Sequence, residues 1–152
     1  MIKKPKMTIN QKAPVVQKDN IFIDAETSKV WNVLSKMDQW PHWNPKIKNI
    51  RIKKTPAVGV AFTWRSNGNK INSKIHTYII HKAIGWNGHA FGMKAIHNWY
   101  LQPSKKGTKV FVEESMEGWL VRLMKNKIAR ILKKDMSHWL EQLKIACEKS
   151  ND

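Results

Sequence analysis

Cysteine is nearly absent from this chain of 152 residues: Cys147 stands alone, so no internal disulfide can form. That excludes a disulfide-stapled scaffold and fits a reducing, cytoplasmic setting. Long apolar runs are missing as well. No stretch approaches the roughly 18 apolar residues that a spanning helix requires, and residues 1–14, though basic, contain no apolar h-region of a secretory signal. Acidic residues are scarce, with eleven Asp+Glu against twenty-eight Lys+Arg and a formal net charge of +17. Such an excess attracts polyanions but specifies no fold.

Several kinds of site are excluded by spacing. Gly85, Gly88 and Gly92 fall in strands and a hairpin rather than between a strand and a helix, so they do not form a phosphate loop. The six histidines lack metal spacing: His76 and His81 lie on opposite faces of a strand, and no cysteine cluster accompanies them. No metal or other cofactor is expected. A nucleophile elbow with its Ser-His-Asp order is absent, and Cys147 has no neighbouring base in sequence, so it reads as a small packed or exposed residue.

What the chain has is tryptophan, eight of them, and its most informative segment is M-D-Q-W-P-H-W-N-P at residues 37–45. Pro41 and Pro45 prevent one continuous helix there, while each indole ring offers a large apolar area to bury. The expected product is a short, kinked helical turn that directs Trp40 and Trp43 inward. Before it, residues 15–23 can form a strand. A helix follows, capped by Asp24 or Thr27, with Val30, Val33, Leu34 and Met37 at helical spacing.

From Ile47 the period changes to two. Ile50 and Ile52 alternate with Arg51 and Lys53, as on a strand with one wet face. Further strands are expected over residues 60–66, 70–81, 84–91, 94–102 and 108–117. Asn67-Gly68 is the strongest hairpin turn among them. Gly118 ends this antiparallel meander, and one continuous helix is expected over 119–148, with Leu120, Leu123, Met124, Ile128, Ile131, Leu132 and Trp139 on its apolar stripe. A curved sheet with one long amphipathic helix buries both apolar faces when the helix lies in the concavity. The expectation is therefore an α+β chain with a single domain over residues 15–150, preceded by a flexible basic tail over 1–14.

The order strand, two short helices, meander, long helix resembles the helix-grip fold of the SRPBCC, or START-like, superfamily, and within it the polyketide cyclase/dehydrase-like branch. Segments I-D-A-E-T-S-K-V-W-N-V-L (23–34), W-P-H-W-N-P-K-I (40–47), V-G-V-A-F-T-W (58–64), G-W-N-G-H-A-F-G (85–92), H-N-W-Y-L-Q-P (97–103) and G-T-K-V-F-V-E-E-S-M-E-G (107–118) carry the resemblance. It implies an apolar cavity between sheet and long helix, used in that superfamily to hold lipids, polyketides or other hydrophobic molecules. It does not by itself select an activity.

Alternation suggests which residues face such a cavity. Ala95, His97, Trp99 and Leu101 share one strand face, and Val110, Val112, Glu114 and Met116 another. With a tight turn over 103–107, Trp99 opposes Val112 and His97 opposes Glu114. Trp86 then lies nearby, with Phe62, Trp64, Ser73 and Ile75 further along. Leu120, Leu123, Met124, Ile128 and Ile131 are the expected roof, and Trp43 stands near the mouth. His97 with Glu114 is the one candidate acid–base pair, suited to enolising a carbonyl or protonating a leaving hydroxyl. The bland alternative is a buried polar pair that satisfies itself or anchors a ligand's polar end.

Three classes of function remain open. The first is binding of a hydrophobic small molecule or lipid, oriented by His97, Glu114 and Ser73. The second is a polyketide cyclase/dehydratase-like enzyme using His97 and Glu114. The third is a polyanion-binding module on RNA or an acidic protein. Weak contact with an anionic membrane or nucleic acid through the basic surface, including Arg122, Lys125 and Arg130, is expected to accompany the first.

Overall fold

The computed structural model describes residues 7–149. β1 (Val15–Ile23) is followed by α1 (Thr27–Ser35), a single 3-10 turn (Met37–Gln39) and α2 (Trp40–Trp43). Six strands come next: β2 (Ile47–Ile52), β3 (Ala61–Ser66), β4 (Asn69–Ile79), β5 (Ala83–Ala90), β6 (Met93–Ser104) and β7 (Gly107–Glu117). Two helices, α3 (Trp119–Leu123) and α4 (Lys125–Glu148), close the chain. The seven strands form one antiparallel sheet in the order β1-β7-β6-β5-β4-β3-β2. The meander runs from β2 to β7, and β1 returns to cap the edge of β7. This is the helix-grip arrangement.

The turns follow local chemistry. Asn67 and Gly68 both take positive φ, 52° and 76°, between the paired residues Ser66 and Asn69, the geometry of a two-residue hairpin loop. Lys105 and Lys106 form an equally short loop between Ser104 and Gly107. β4 carries a bulge between Ile75 and Thr77. The extra residue, His76, reverses face parity, so that Ile75 pairs with Trp86 before it and Tyr78 with Ile84 after it. That reversal delivers Tyr78 to Trp31 of α1, with ring centroids 5.2 Å apart.

The core lies between the inner face of the sheet and the helices. Trp40 is its hub: fully buried, it meets Phe62, Trp64, Trp86 and Trp139 at 5.0–5.9 Å between ring centroids, with Trp86 and Trp139 each at 5.0 Å. Its indole N–H is satisfied by the carbonyl of Leu34 at 2.9 Å. Pro41 stands in the first turn of α2, where its missing N–H costs nothing. α1 buries Val30, Trp31 and Leu34, but neither expected cap holds it. Glu26 is the N-cap residue without a side-chain bond, and Thr27 instead shares a 2.9 Å hydrogen bond with Thr108.

Two expectations about the ends differ from the structure. The tail read over residues 1–14 lies outside the described residues for 1–6, whereas the part from Met7 onward crosses the outer face of the sheet. There Asn98 donates to the carbonyl of Met7 at 3.0 Å, Asn10 N–H to Ser115 at 3.0 Å, and the Asn10 amide to Glu117 at 2.8 Å, with Ile9 buried. The helix expected over 119–148 is broken at Met124, whose φ and ψ of −118° and 34° are not helical. Cys147 is buried on α4, and burial pushes its thiol up to about 12. No helix among the described residues is long and apolar enough to cross a membrane.

Candidate functional site

A cavity of about 270 Å³ lies between the inner sheet face and α4. Its floor comes from Trp64, Ile71, Trp86, Ala95, His97 and Glu114, and its roof from α4, chiefly Ile128, Leu132, Met136 and Trp139. The tips of the β3–β4 and β5–β6 hairpins form the rim, where Asn67, Asn69 and Lys94 are exposed. Asp135 of α4 ties across this rim: it accepts a hydrogen bond from Asn67 and pairs with Lys46 at 3.6 Å.

The one polar dyad on the apolar floor is His97 with Glu114. Their strands pair in the register His97↔Glu114 and Trp99↔Val112, set by the two-residue loop that joins β6 to β7. Nδ1 of His97 makes a short hydrogen bond to Oε1 of Glu114. Where Glu114 is ionised it can only accept, so Nδ1 then carries the proton; a ring neutral in that tautomer has its lone pair on Nε2. Nε2 is buried and has no hydrogen-bond partner among the described residues. The ring is fixed by aromatics: it stacks on Trp86 at 4.8 Å and 11°, with Trp99 at 5.7 Å and Trp139 at 6.2 Å. A rigid histidine, oriented by a carboxylate and presenting one unpaired nitrogen in an apolar setting, can accept a hydrogen bond from a ligand hydroxyl or take a proton from an acidic C–H. Among the described residues no group of three His, Cys, Asp or Glu side chains is placed to hold a metal ion.

Residues 15–148 match the family of polyketide cyclase/dehydrase and lipid transport proteins. The chain belongs to that family. Among solved structures, a hypothetical protein of Helicobacter pylori superposes with a TM-score of 0.85 at 15% identity, over 97% of this chain and 96% of that one. A START superfamily protein of Mycobacterium smegmatis gives 0.76 at 14% identity, covering 88% and 97%. The Zhui aromatase/cyclase of a Streptomyces species gives 0.78 at 10%, covering 88% and 93%. At these identities the likeness establishes the fold alone. No curated protein matches the sequence.

The residues singled out in the sequence divide into three groups. Trp64, Trp86, His97, Glu114, Ile128 and Ile131 stand together around the cavity. Phe62, Ile75, Trp99 and Val112 lie in the buried core rather than on the cavity wall, and Ser73 is engaged by the indole N–H of Trp64 at 3.1 Å. Trp43 packs against Trp139, at 5.8 Å, and does not line the cavity. The remaining three, Leu120, Leu123 and Met124, are not the roof. The break at Met124 swings α3 away from the cavity, and Leu123 is 75% exposed.

The roof instead uses the second half of the stripe. Leu132 and Trp139 stood on the expected stripe; Met136, at helical spacing between them, did not. What sequence periodicity did not show was the break, which moves the roof by about two turns of helix.

Proposed function

We propose that the cavity binds one small, largely apolar molecule carrying a hydroxyl group, with the apolar body among Trp64, Trp86, Ile128 and Trp139 and the hydroxyl donated to His97 Nε2. The observation that carries this reading is the buried, unpaired Nε2 of a histidine whose other nitrogen is committed to Glu114. Buried polar atoms are normally paired, and an orphan on a cavity wall marks where a ligand atom belongs. Size supports a modest ligand. The volume of about 270 Å³ stands at the small end of ligand pockets, which run to about 300–1,000 Å³, and suits one or two rings better than a long polyketide or a diacyl lipid. Family membership supports a hydrophobic ligand in the same place.

A matched pair of probes tests this. In a tryptophan-fluorescence titration, 1-naphthol should bind about tenfold tighter than naphthalene, the worth of one hydrogen bond. The difference should vanish in His97→Ala while naphthalene affinity stays. Equal affinity of the two probes for the wild type would overturn the assignment.

A second reading rests on the same dyad. With Glu114 holding the Nδ1 proton, Nε2 of His97 is also placed as a general base toward a carbon acid, the chemistry of a cyclase or dehydratase. It predicts that Glu114→Gln leaves naphthol binding within a few-fold but removes catalysed hydrogen–deuterium exchange α to the carbonyl of a bound aryl ketone. A wild type that catalyses no such exchange would leave the dyad as a binding element only.

A further inference from the structure

The displacement of α3 leaves an apolar surface outside the domain. Phe91, at the tip of the β5–β6 hairpin, is 77% exposed, and Trp119 and Leu123 on α3 are 58% and 75% exposed. They form one patch. The rings of Phe91 and Trp119 meet edge to face at 5.3 Å, and Leu123 lies four residues after Trp119, on the same helical face.

Its geometry is imposed by close backbone contacts. A Cβ on Gly92 would stand 2.7 Å from Leu120 Cβ, and one on Gly118 would stand 2.3 Å from the Gly92 carbonyl oxygen. The amide of Leu120 donates to that same oxygen at 3.2 Å. Two glycines therefore clamp the hairpin tip to the start of α3 and hold three large apolar side chains in water, where a folded chain gains nothing from them.

Charge surrounds the patch. From Trp119 to the residue before Asp135 the sequence contains Arg122, Lys125, Lys127, Arg130, Lys133 and Lys134 and no acidic residue. Lys94 adds a cation on the hairpin side. The nearest carboxylate in sequence before α3, Glu117, is engaged by Asn10. The patch also adjoins the cavity: Ala90, Met93 and Lys94 of the same hairpin line it, as do Ile128 and Ile131 of α4, the latter 40% exposed.

We infer that this face docks on an anionic lipid bilayer, with Phe91, Trp119 and Leu123 inserted at the headgroup boundary and the surrounding Lys and Arg against the lipid phosphates. Apolar tips ringed by cations suit such a surface. A small apolar ligand partitions into a membrane, so docking here sets the mouth of the cavity against the ligand's reservoir. That last clause rests on the function proposed above; the docking itself does not. A nucleic acid would satisfy the charge but offers no apolar phase for Leu123.

The test uses the full chain and phosphatidylcholine vesicles with and without phosphatidylglycerol. Expected are co-sedimentation with mixed vesicles, little with pure phosphatidylcholine, and quenching of tryptophan emission by lipids brominated on their acyl chains, lost in Trp119→Phe. The double variant Phe91→Ser, Leu123→Ser should bind at least about tenfold more weakly, since each side chain forfeits its apolar transfer. Arg122→Gln, Lys125→Gln, Arg130→Gln should lose the salt-sensitive part. The Phe91→Ser, Leu123→Ser chain should keep wild-type affinity for 1-naphthol without vesicles, which separates docking from the cavity and reports that the fold is intact. The inference is overturned by any of three results: no binding to mixed vesicles, binding indifferent to the double variant and matched by RNA, or self-association through the patch that occurs in place of vesicle binding.

Discussion

His76 and His97 stand on opposite faces of the same sheet and meet opposite fates. His97 is oriented by a carboxylate on the cavity side, its Nε2 buried and without a partner among the described residues. His76, the extra residue of the β4 bulge, is buried on the outer face, with Nδ1 on Thr77 at 2.8 Å and Nε2 without a partner among the described residues. It is held beside Asn98 over Gly85, where even a Cβ would lie 2.3 Å from Asn98 Oδ1 and 2.6 Å from His76 Cε1. Burial lowers its pKa from 6.5 to about 4. The unfolded chain therefore binds the extra proton between those two values. Stability should be constant with respect to this group above pH 6.5 and fall as the pH drops toward about 4. Its limiting slope is about 1.4 kcal/mol per pH unit. Urea denaturation across this range, compared with His76→Gln, checks it. The variant should lose that component of the slope even if its absolute stability is lower, and parallel curves for the two proteins would refute the assignment.

Among the elements, α3 is the one whose position depends on glycine. Gly118, at φ 120° and against the Gly92 carbonyl, is the residue that ended the meander in the sequence, and it also fixes the exit angle of the chain. Gly118→Ala should destabilise the domain by about 1–3 kcal/mol through positive-φ strain and overpacking. Denaturation midpoints would show the loss, and a change in Trp119 emission would report release of α3. A wild-type midpoint would mean that the clamp contributes nothing.

The same region shows where sequence reasoning stops. Strand periodicity and the assumption of a tight turn over 103–107 placed β6 against β7 correctly, because register there is local and a one-residue slip would invert every side chain. The break at Met124 has no such local mark: no proline or glycine stands there, and apolar spacing continues through it. The start of α3 is held from outside the helix, where the Gly92 carbonyl accepts the Leu120 amide, a contact between residues far apart in the chain. The His76 bulge was likewise invisible to strict alternation. For that reason the inner position of Tyr78 was not foreseen.

At the scale of the molecule, the sheet is closed on both faces by different parts of the chain: α4 and the tryptophan cluster inside, the segment beginning at Met7 outside. A chain starting at Val15 keeps every strand and helix but loses three hydrogen bonds to Asn98, Ser115 and Glu117, together with the burial of Ile9. It should remain folded by circular dichroism with stability reduced by about 2–5 kcal/mol. An unchanged urea midpoint would show that the segment only rests on the surface. The helix-grip architecture was readable from element order and the Trp-Pro segment. The cavity's ligand was not, because shape and an unpaired nitrogen are properties of assembled walls.

The central claim, that this cavity is a binding site for a small apolar molecule, is tested most directly by native mass spectrometry of the wild type and Ala95→Phe after incubation with 1-naphthol. Ala95 faces the cavity opposite Met116, and a phenyl ring there fills the space without touching the dyad's hydrogen bond. One naphthol per wild-type chain and none on the variant is the expected result. Naphthol retained equally by both proteins, or by neither, would contradict it.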